Sequence, residues 1–478
     1  MGEDPTSRMD ELNLMDFTRH LAIISSIVTL SIATYVFLTW RRLSHIPGPF
    51  WASTSKYWMV SQSLKGQMHA ALKEVTDKYG SLARIGPNDL VTDDPDVLRR
   101  MMGVRSPYTR GPWYDAMRFD PTRDNLLSMR DDAAHTKLRN KMAAGYSGKE
   151  NESMEGTIDK QIRNFVDLIE RKYLSTSKEY RPMDLGQKGQ FFTLDVISDL
   201  AFGQAFGYLK QDDDVFDYIK ITDQLGFGAF IGVAKRVVRE RFLPGATTQK
   251  DMMASFIRHG LTQEELSGES LLQVIGGSDT SAATIRVVLL NLMSSPPCYR
   301  KLQAEIDSAM AKGEISSPIK DVEAKQLPYL QAVIKEGLRI MPPATGLFSK
   351  QVPQGGDTIN GIFVPGGTQI SSCSFGIHHS KKIFGGDADI FRPERWLEAD
   401  GHTLAQMTST IDLIFHFGKF QCLGKPVALM ELNKIYVELL RRFDFAVVNA
   451  NNPATFKNAG IWIITDFWVR VTRRPEGF

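Results

Sequence analysis

Apolar positions cluster most densely near the start of the chain. From Leu21 to Trp40 twenty residues pass without a formal charge, rich in Ile, Val and Leu. At 1.5 Å per helical residue such a run spans about 30 Å, which predicts a transmembrane anchor over 21–40. The preceding residues 1–20 are acidic (Glu3, Asp4, Asp10, Glu11 and Asp16 against Arg8 and Arg19), and no small-residue cleavage site follows the run. These features set it apart from a cleaved signal peptide. Arg41 and Arg42 come next; positive-inside bias puts the remainder in the cytosol and residues 1–20 across the membrane. Residues 41–50 end in Pro47-Gly48-Pro49, a hinge that stops the helix and sets the body at a fixed angle.

Residues 51–478 contain no second run of spanning length. Helical spacing dominates: Thr157–Tyr173, Tyr299–Met310, Tyr329–Met341 and Pro426–Phe443 are amphipathic, and an apolar helix runs from about Ser270 to Met293 before Pro296-Pro297. Strand patterns are short, at Ser81–Ile85, Thr358–Phe363, Thr368–Ser372 and Ile461–Thr465. A little sheet early, helices in the middle and a mixture at the end predict a mainly α (α+β) body.

Composition narrows the class. The 478 residues are 42% apolar and 23% charged, with no linker or repeat that would divide them, so one large globular fold is expected. With 57 basic and 55 acidic side chains the net charge is +2, which gives no reason to expect nucleic acid. Cys298, Cys373 and Cys422 are the only cysteines, too few for a disulfide scaffold.

Four segments carry candidate chemistry. In Phe415-His416-Phe417-Gly418-Lys419-Phe420-Gln421-Cys422-Leu423-Gly424 a cysteine precedes a helix that Pro426 opens. Exposed N–H groups and the helix dipole there are expected to lower its pKa. Gly418 and Gly424 allow tight turning and close approach to a flat ligand. Such a cysteine is either a buried apolar thiol or a lone thiolate ligand, the latter able to bind haem iron axially. Gly276-Gly277-Ser278-Asp279-Thr280 interrupts the apolar central helix. Two mid-helix glycines cost about 1 kcal/mol each, so either another helix or a ligand approaches closely; Asp279 and Thr280 then offer a carboxylate and a hydroxyl for proton delivery. Glu336 and Arg339 share one helix face, as a surface pair or a buried one. Phe391-Arg392-Pro393-Glu394-Arg395-Trp396 is an irregular segment that presents Arg395 toward Glu336.

In this order the four segments resemble the cytochrome P-450 family of haem-thiolate monooxygenases, from the anchor to the C-terminus. The wording of Gly418-Lys419-Phe420-Gln421-Cys422-Leu423-Gly424-Lys425 and of Arg84-Ile85-Gly86-Pro87-Asn88 is similar to the fungal pisatin demethylase-like, secondary-metabolism branch. The resemblance implies the cytochrome P-450 fold, haem b, and Cys422 as the axial iron ligand in a loop shaped by Phe415, Gly418 and Gly424. It implies an oxygen-binding groove at Gly277, Asp279 and Thr280, and a structural triad of Glu336, Arg339 and Arg395. His135, Arg139, Lys350 and Lys419 are implied to meet the haem propionates. Phe420 departs from the family, which mostly has Arg or His there, so either Lys419, Lys425, Arg139 and Lys350 share that work, as fungal relatives with Gly-Lys-aromatic imply, or haem is held less tightly and its potential shifts.

The implied activity inserts one oxygen atom from O2 into a lipophilic secondary metabolite of terpenoid or polyketide type. Trp113, Tyr114, Met117, Phe119, Phe227, Phe230, Thr345–Phe348 and Ile461–Ile463 are the implied pocket. No flavin or dinucleotide fingerprint occurs in the chain. NADPH therefore enters only indirectly, through a membrane-bound flavoprotein reductase docking on Lys137, Arg139, Lys141, Lys419 and Lys425. The implied location is the endoplasmic reticulum membrane, single-pass, with the catalytic domain (51–478) facing the cytosol. The stretch 207–256 is short for the two helices that roof the pocket and suggests a deletion. Two alternatives follow: a haem-dependent isomerase or dehydratase, or an inactive remnant with an incomplete roof.

Overall fold

The structure, a computed structural model, describes residues 5–150, 153–223, 228–243 and 250–475. A single helix, Pro5–Arg42, contains the expected span. Its segment Asp16–Arg42 is long and apolar enough to cross a bilayer, and none of its most apolar window is buried against the body.

The body is organised around the central helix Gln263–Ser294. Thr262 opens it with a reciprocal capping box: its hydroxyl accepts from the Glu265 N–H while the Glu265 carboxylate accepts from the Thr262 N–H. The almost wholly buried helix Leu185–Phe202 lies along it, with Pro328–Ile340 and Lys425–Leu440 also packed against it. Gly337 explains one crossing, because a Cβ there would stand 2.1 Å from Val288 Cγ2. Most buried apolar side chains form one cluster around this helical layer.

Sheet content is small. A five-stranded sheet runs in the order Leu82–Arg84, Asp89–Thr92, Gln369–Ser372, Lys350–Gln351, Thr109–Arg110. In its antiparallel edge pair, Arg110 stands directly opposite Lys350.

Two sequence-based boundaries change. Thr358–Phe363 is a hairpin of Asp357–Ile359 and Ile362–Val364, because Asn360 and Gly361 both adopt positive φ between them. The helix expected to reach Phe443 stops at Leu440, and Phe443 begins the strand Phe443–Val447. Both are short-range turn effects that apolar spacing does not register.

Candidate functional site

The cysteine loop hangs between the sheet and the helix Lys425–Leu440. His416 and Gly418 take positive φ, and the Cys422 N–H returns to the Phe415 carbonyl at 2.7 Å. Gly418 is obligatory on a second count, since a Cβ there would lie 2.5 Å from the Met102 carbonyl oxygen. Gly424 has an ordinary φ of −77°, and a Cβ there would only touch Cys422 Sγ at 3.7 Å.

Cys422 is solvent-accessible, yet the bulk of the body surrounds it. Its thiol pKa is pushed up, against the sequence-based expectation. Burial dominates; the N–H groups of Gly424 and Lys425 and the charge of Arg139 pull the other way without overcoming it. A thiol so placed becomes a thiolate when a metal cation supplies the missing charge.

Above the sheet edge lies a group of buried basic side chains, Lys350, Arg110 and His135. Lys350 is 1% exposed, and among the described residues its Nζ has no hydrogen-bond partner. Arg110 Nη1 donates to the carbonyls of Leu126 and Met129, both at 2.8 Å, while its Nε is unpartnered. His135 Nδ1 is buried and unpartnered too. Phe420 lies among them: Lys350 Nζ is 3.1 Å and the Arg110 guanidinium 4.7 Å from the ring centroid, and the His135 ring is at 5.2 Å. Lys350 is driven down to about 6, by burial first and by Arg110 next, and His135 down to about 3. Like charges opposite one another in a strand pair repel, so this arrangement calls for a dianionic or doubly carboxylated partner. Haem, with two propionates, fits that donor set.

Lys419 is already engaged by Asp132, and Arg139 is half-buried with its charge felt at Cys422. Arg110 is the residue that sequence patterning missed here, and Tyr114, read from sequence as pocket wall, joins it. Tyr114 packs under Arg110, ring to guanidinium 4.7 Å, and is pushed up to about 12 by burial. Only the pairing of two remote strands brings Arg110 to Lys350.

On the central helix the two glycines separate. A Cβ on Gly277 would stand 2.7 Å from Ile197 Cγ1, so Gly277 serves close packing with Leu185–Phe202. Gly276, by contrast, faces open space, where a Cβ would meet nothing within 4 Å; one residue of helix turns the backbone about 100°. The Thr280 hydroxyl donates to the Gly276 carbonyl at 2.8 Å. Asp279 accepts from Gln190 Nε2 at 2.6 Å and from the Tyr218 hydroxyl at 3.2 Å, while Arg286 holds Gln190 Oε1 at 2.7 Å. Burial raises Asp279 to about 6 despite Arg286 and these donors. Glu431, also unflagged by sequence, is 1% exposed, and among the described residues both its carboxylate oxygens lack a well-formed hydrogen bond. Burial raises it to about 8, with only the Ser281 hydroxyl opposing.

Asp279 also borders a cavity of about 690 Å³. Trp113, Met117, Phe119, Phe348, Ile461 and Ile463 supply apolar wall, as expected; Tyr114 instead lies beneath Arg110. Phe227 and the side chain of Phe230 lie outside the described residues.

Glu336, Arg339 and Arg395 meet away from the cysteine loop, fully buried. Glu336 accepts Arg339 Nη2 at 2.7 Å, Arg339 Nε at 2.9 Å, Arg395 Nε at 3.0 Å and Trp396 Nε1 at 2.9 Å. Of the residues assigned to a docking face, Lys141, Lys419 and Lys425 are neutralised by Glu265, Asp132 and Asp412.

The sequence pattern of the family described as Cytochrome P450 matches residues 46–227 and 229–465. Among characterised proteins, the cytochrome P450 monooxygenase ABA1 of Pyricularia oryzae is 41% identical over 499 residues, covering 96% of this chain and 98% of the relative. The cytochrome P450 monooxygenase aba1 of Botryotinia fuckeliana is 38% identical, covering 90% and 92%. The cytochrome P450 monooxygenase abl1 of Leptosphaeria maculans is 35% identical, covering 90% and 84%.

Proposed function

Since this chain belongs to the cytochrome P450 family and is a monooxygenase of that family, we propose that it hydroxylates, epoxidises or demethylates a lipophilic fungal secondary metabolite at the endoplasmic reticulum membrane. One observation carries the substrate class: a largely apolar cavity is bordered by Asp279 of the central helix. A terpenoid or polyketide skeleton suits those walls, and a span of Asp16–Arg42 delivers such molecules from lipid.

In this reading Cys422 holds the iron, and Arg110, Lys350 and His135 hold the propionates of haem b. Haem, when bound, would supply the chemistry of O2 activation, with electrons coming from NADPH through a flavoprotein reductase. The chain's own residues manage protons and water. Thr280, tied to the Gly276 carbonyl, presents its hydroxyl oxygen beside the open face of Gly276. Asp279, with a pKa near the working pH, both donates and recovers protons, while Gln190 and Tyr218 fix its two oxygens.

The test is reductase-dependent NADPH consumption by the membrane-bound enzyme with a panel of terpenoids and polyketides. Product carrying one 18O atom from 18O2 supports oxygen insertion. Rearranged product without label, formed without NADPH, supports the isomerase reading instead.

A damaged roof keeps one specific support. The family match breaks at residue 228, inside 207–256. Electron flow ending mainly in hydrogen peroxide, whatever substrate is offered, would favour that reading.

A further inference from the structure

The Arg84-Ile85-Gly86-Pro87-Asn88 motif has no place in the chemistry above, yet Arg84 is among the most deeply buried cations, 1% exposed. Among the described residues all its side-chain partners are backbone carbonyls. Nη1 donates to Trp40 at 2.8 Å; Nη2 reaches Thr39 at 3.1 Å, Ser53 at 3.2 Å and Pro87 at 2.8 Å; Nε donates to Gly86 at 3.0 Å. Thr39 and Trp40 belong to the last turn of the anchor helix, where carbonyls lack intrahelical donors and the dipole is negative. Ser53 lies in the next helix, Phe50–Thr54. One guanidinium thus joins the end of the span, the first helix of the body and the sheet.

The intervening chain is equally fixed. The Arg84 N–H donates to the Pro47 carbonyl at 2.8 Å, and a Cβ on Gly48 would lie 2.2 Å from the Arg84 carbonyl oxygen. Arg42 bonds Asn88 and the Gly366 carbonyl, and Leu43 and Ile46 are buried in the cluster beneath the sheet. Beside this junction, Phe50–Thr54 and Tyr57–Leu64 expose Phe50, Trp51, Tyr57, Val60 and Leu64, with Trp51 at 74% and Tyr57 at 76%. Aromatic residues of this kind favour the boundary between headgroups and acyl chains, and a patch of them continuous with a span marks a lipid contact.

We propose that Arg84 is a latch between the anchor and the catalytic body, and that it holds the Phe50–Leu64 face in the bilayer interface. The latch rests on the membrane-anchored reading. It replaces a flexible tether by a rigid joint, so body and span tilt together.

The test uses full-length, haem-loaded protein in phosphatidylcholine vesicles, with a nitroxide on Tyr57→Cys and, for comparison, on Lys312→Cys. Collisions with oxygen report lipid, and collisions with a nickel chelate report water. The latch predicts that the Tyr57 label meets oxygen preferentially and the Lys312 label meets nickel. In Arg84→Gln the Tyr57 preference should reverse while the carbon monoxide spectrum and alkali-resistant membrane retention persist. Arg84→Lys, which keeps the charge but loses the fork, should behave alike and serves if the glutamine variant does not load haem. A water-exposed Tyr57 label in the parent, or an unchanged preference in a haem-loaded Arg84 variant, overturns the latch. Release of the parent by alkali overturns the anchored reading itself.

Discussion

The Lys350 ammonium stands 3.1 Å over the face of Phe420, and the Arg110 directly opposite Lys350 in the sheet reaches the same ring. An aromatic two residues before the cysteine therefore does more than remove a cation. Its negative face favours the charged forms of Arg110 and Lys350, which burial disfavours and Asp132 only partly restores. Arg110→Ala and Lys350→Ala should each release haem faster to apomyoglobin. A charge-assisted hydrogen bond worth about 1.5–3 kcal/mol corresponds to roughly ten- to a hundredfold. Phe420→Arg, although it restores the usual family residue, should not tighten haem, because it adds a third cation to the group.

Gly418 and Gly424 make a contrasting pair. Gly418→Ala forces a positive φ on a residue with a Cβ and drives that Cβ into the Met102 carbonyl; it should yield protein with little bound haem. Gly424→Ala meets only an ordinary contact and should load haem normally. Haem content per chain, by the pyridine haemochrome assay, decides both.

The Glu336 cluster predicts a large loss of stability. Glu336→Gln leaves two buried guanidiniums without their shared carboxylate, and breaking a buried pair typically costs about 3–5 kcal/mol. The variant should give a much lower thermal midpoint, or no soluble haem-loaded protein, although it touches neither Cys422 nor the cavity. Differential scanning fluorimetry of the purified variant measures this.

Asp279 predicts a pH dependence with a definite sign. Its ordinary value of 3.8 rises to about 6 in the fold, so between those values the folded chain holds a proton that the unfolded chain has lost. Stability from this group is complete below about pH 4 and is lost as pH rises through about 6. Asp279→Asn cannot titrate; relative to the parent it should gain about 2–3 kcal/mol between pH 4 and pH 8. Urea unfolding at the two pH values checks this. The same variant should keep its carbon monoxide spectrum while product formation falls by about 10²–10⁴-fold, the usual value of positioned proton transfer.

What sequence made legible was local. The cysteine loop, the Glu336–Arg339 spacing and the interrupted central helix each lie within a few neighbouring residues, and the structure brings Arg395 to Glu336 as expected. What it hid depends on remote pairing or on rotation about a helix. Arg110 joins the cation group only through a strand partner far along the chain, and Gly276 and Gly277 differ only in which side of one helix they face. The upward shift of the Cys422 thiol was equally hidden, because it is set by enclosure from several segments and not by the adjacent helix start.

The most direct measurement is the absorption spectrum of the expressed protein, reduced and exposed to carbon monoxide, with Cys422→Ala alongside. The account predicts a strongly red-shifted Soret band in the parent that the variant lacks. An unshifted band in the parent, or a shifted band that survives in Cys422→Ala, would contradict it.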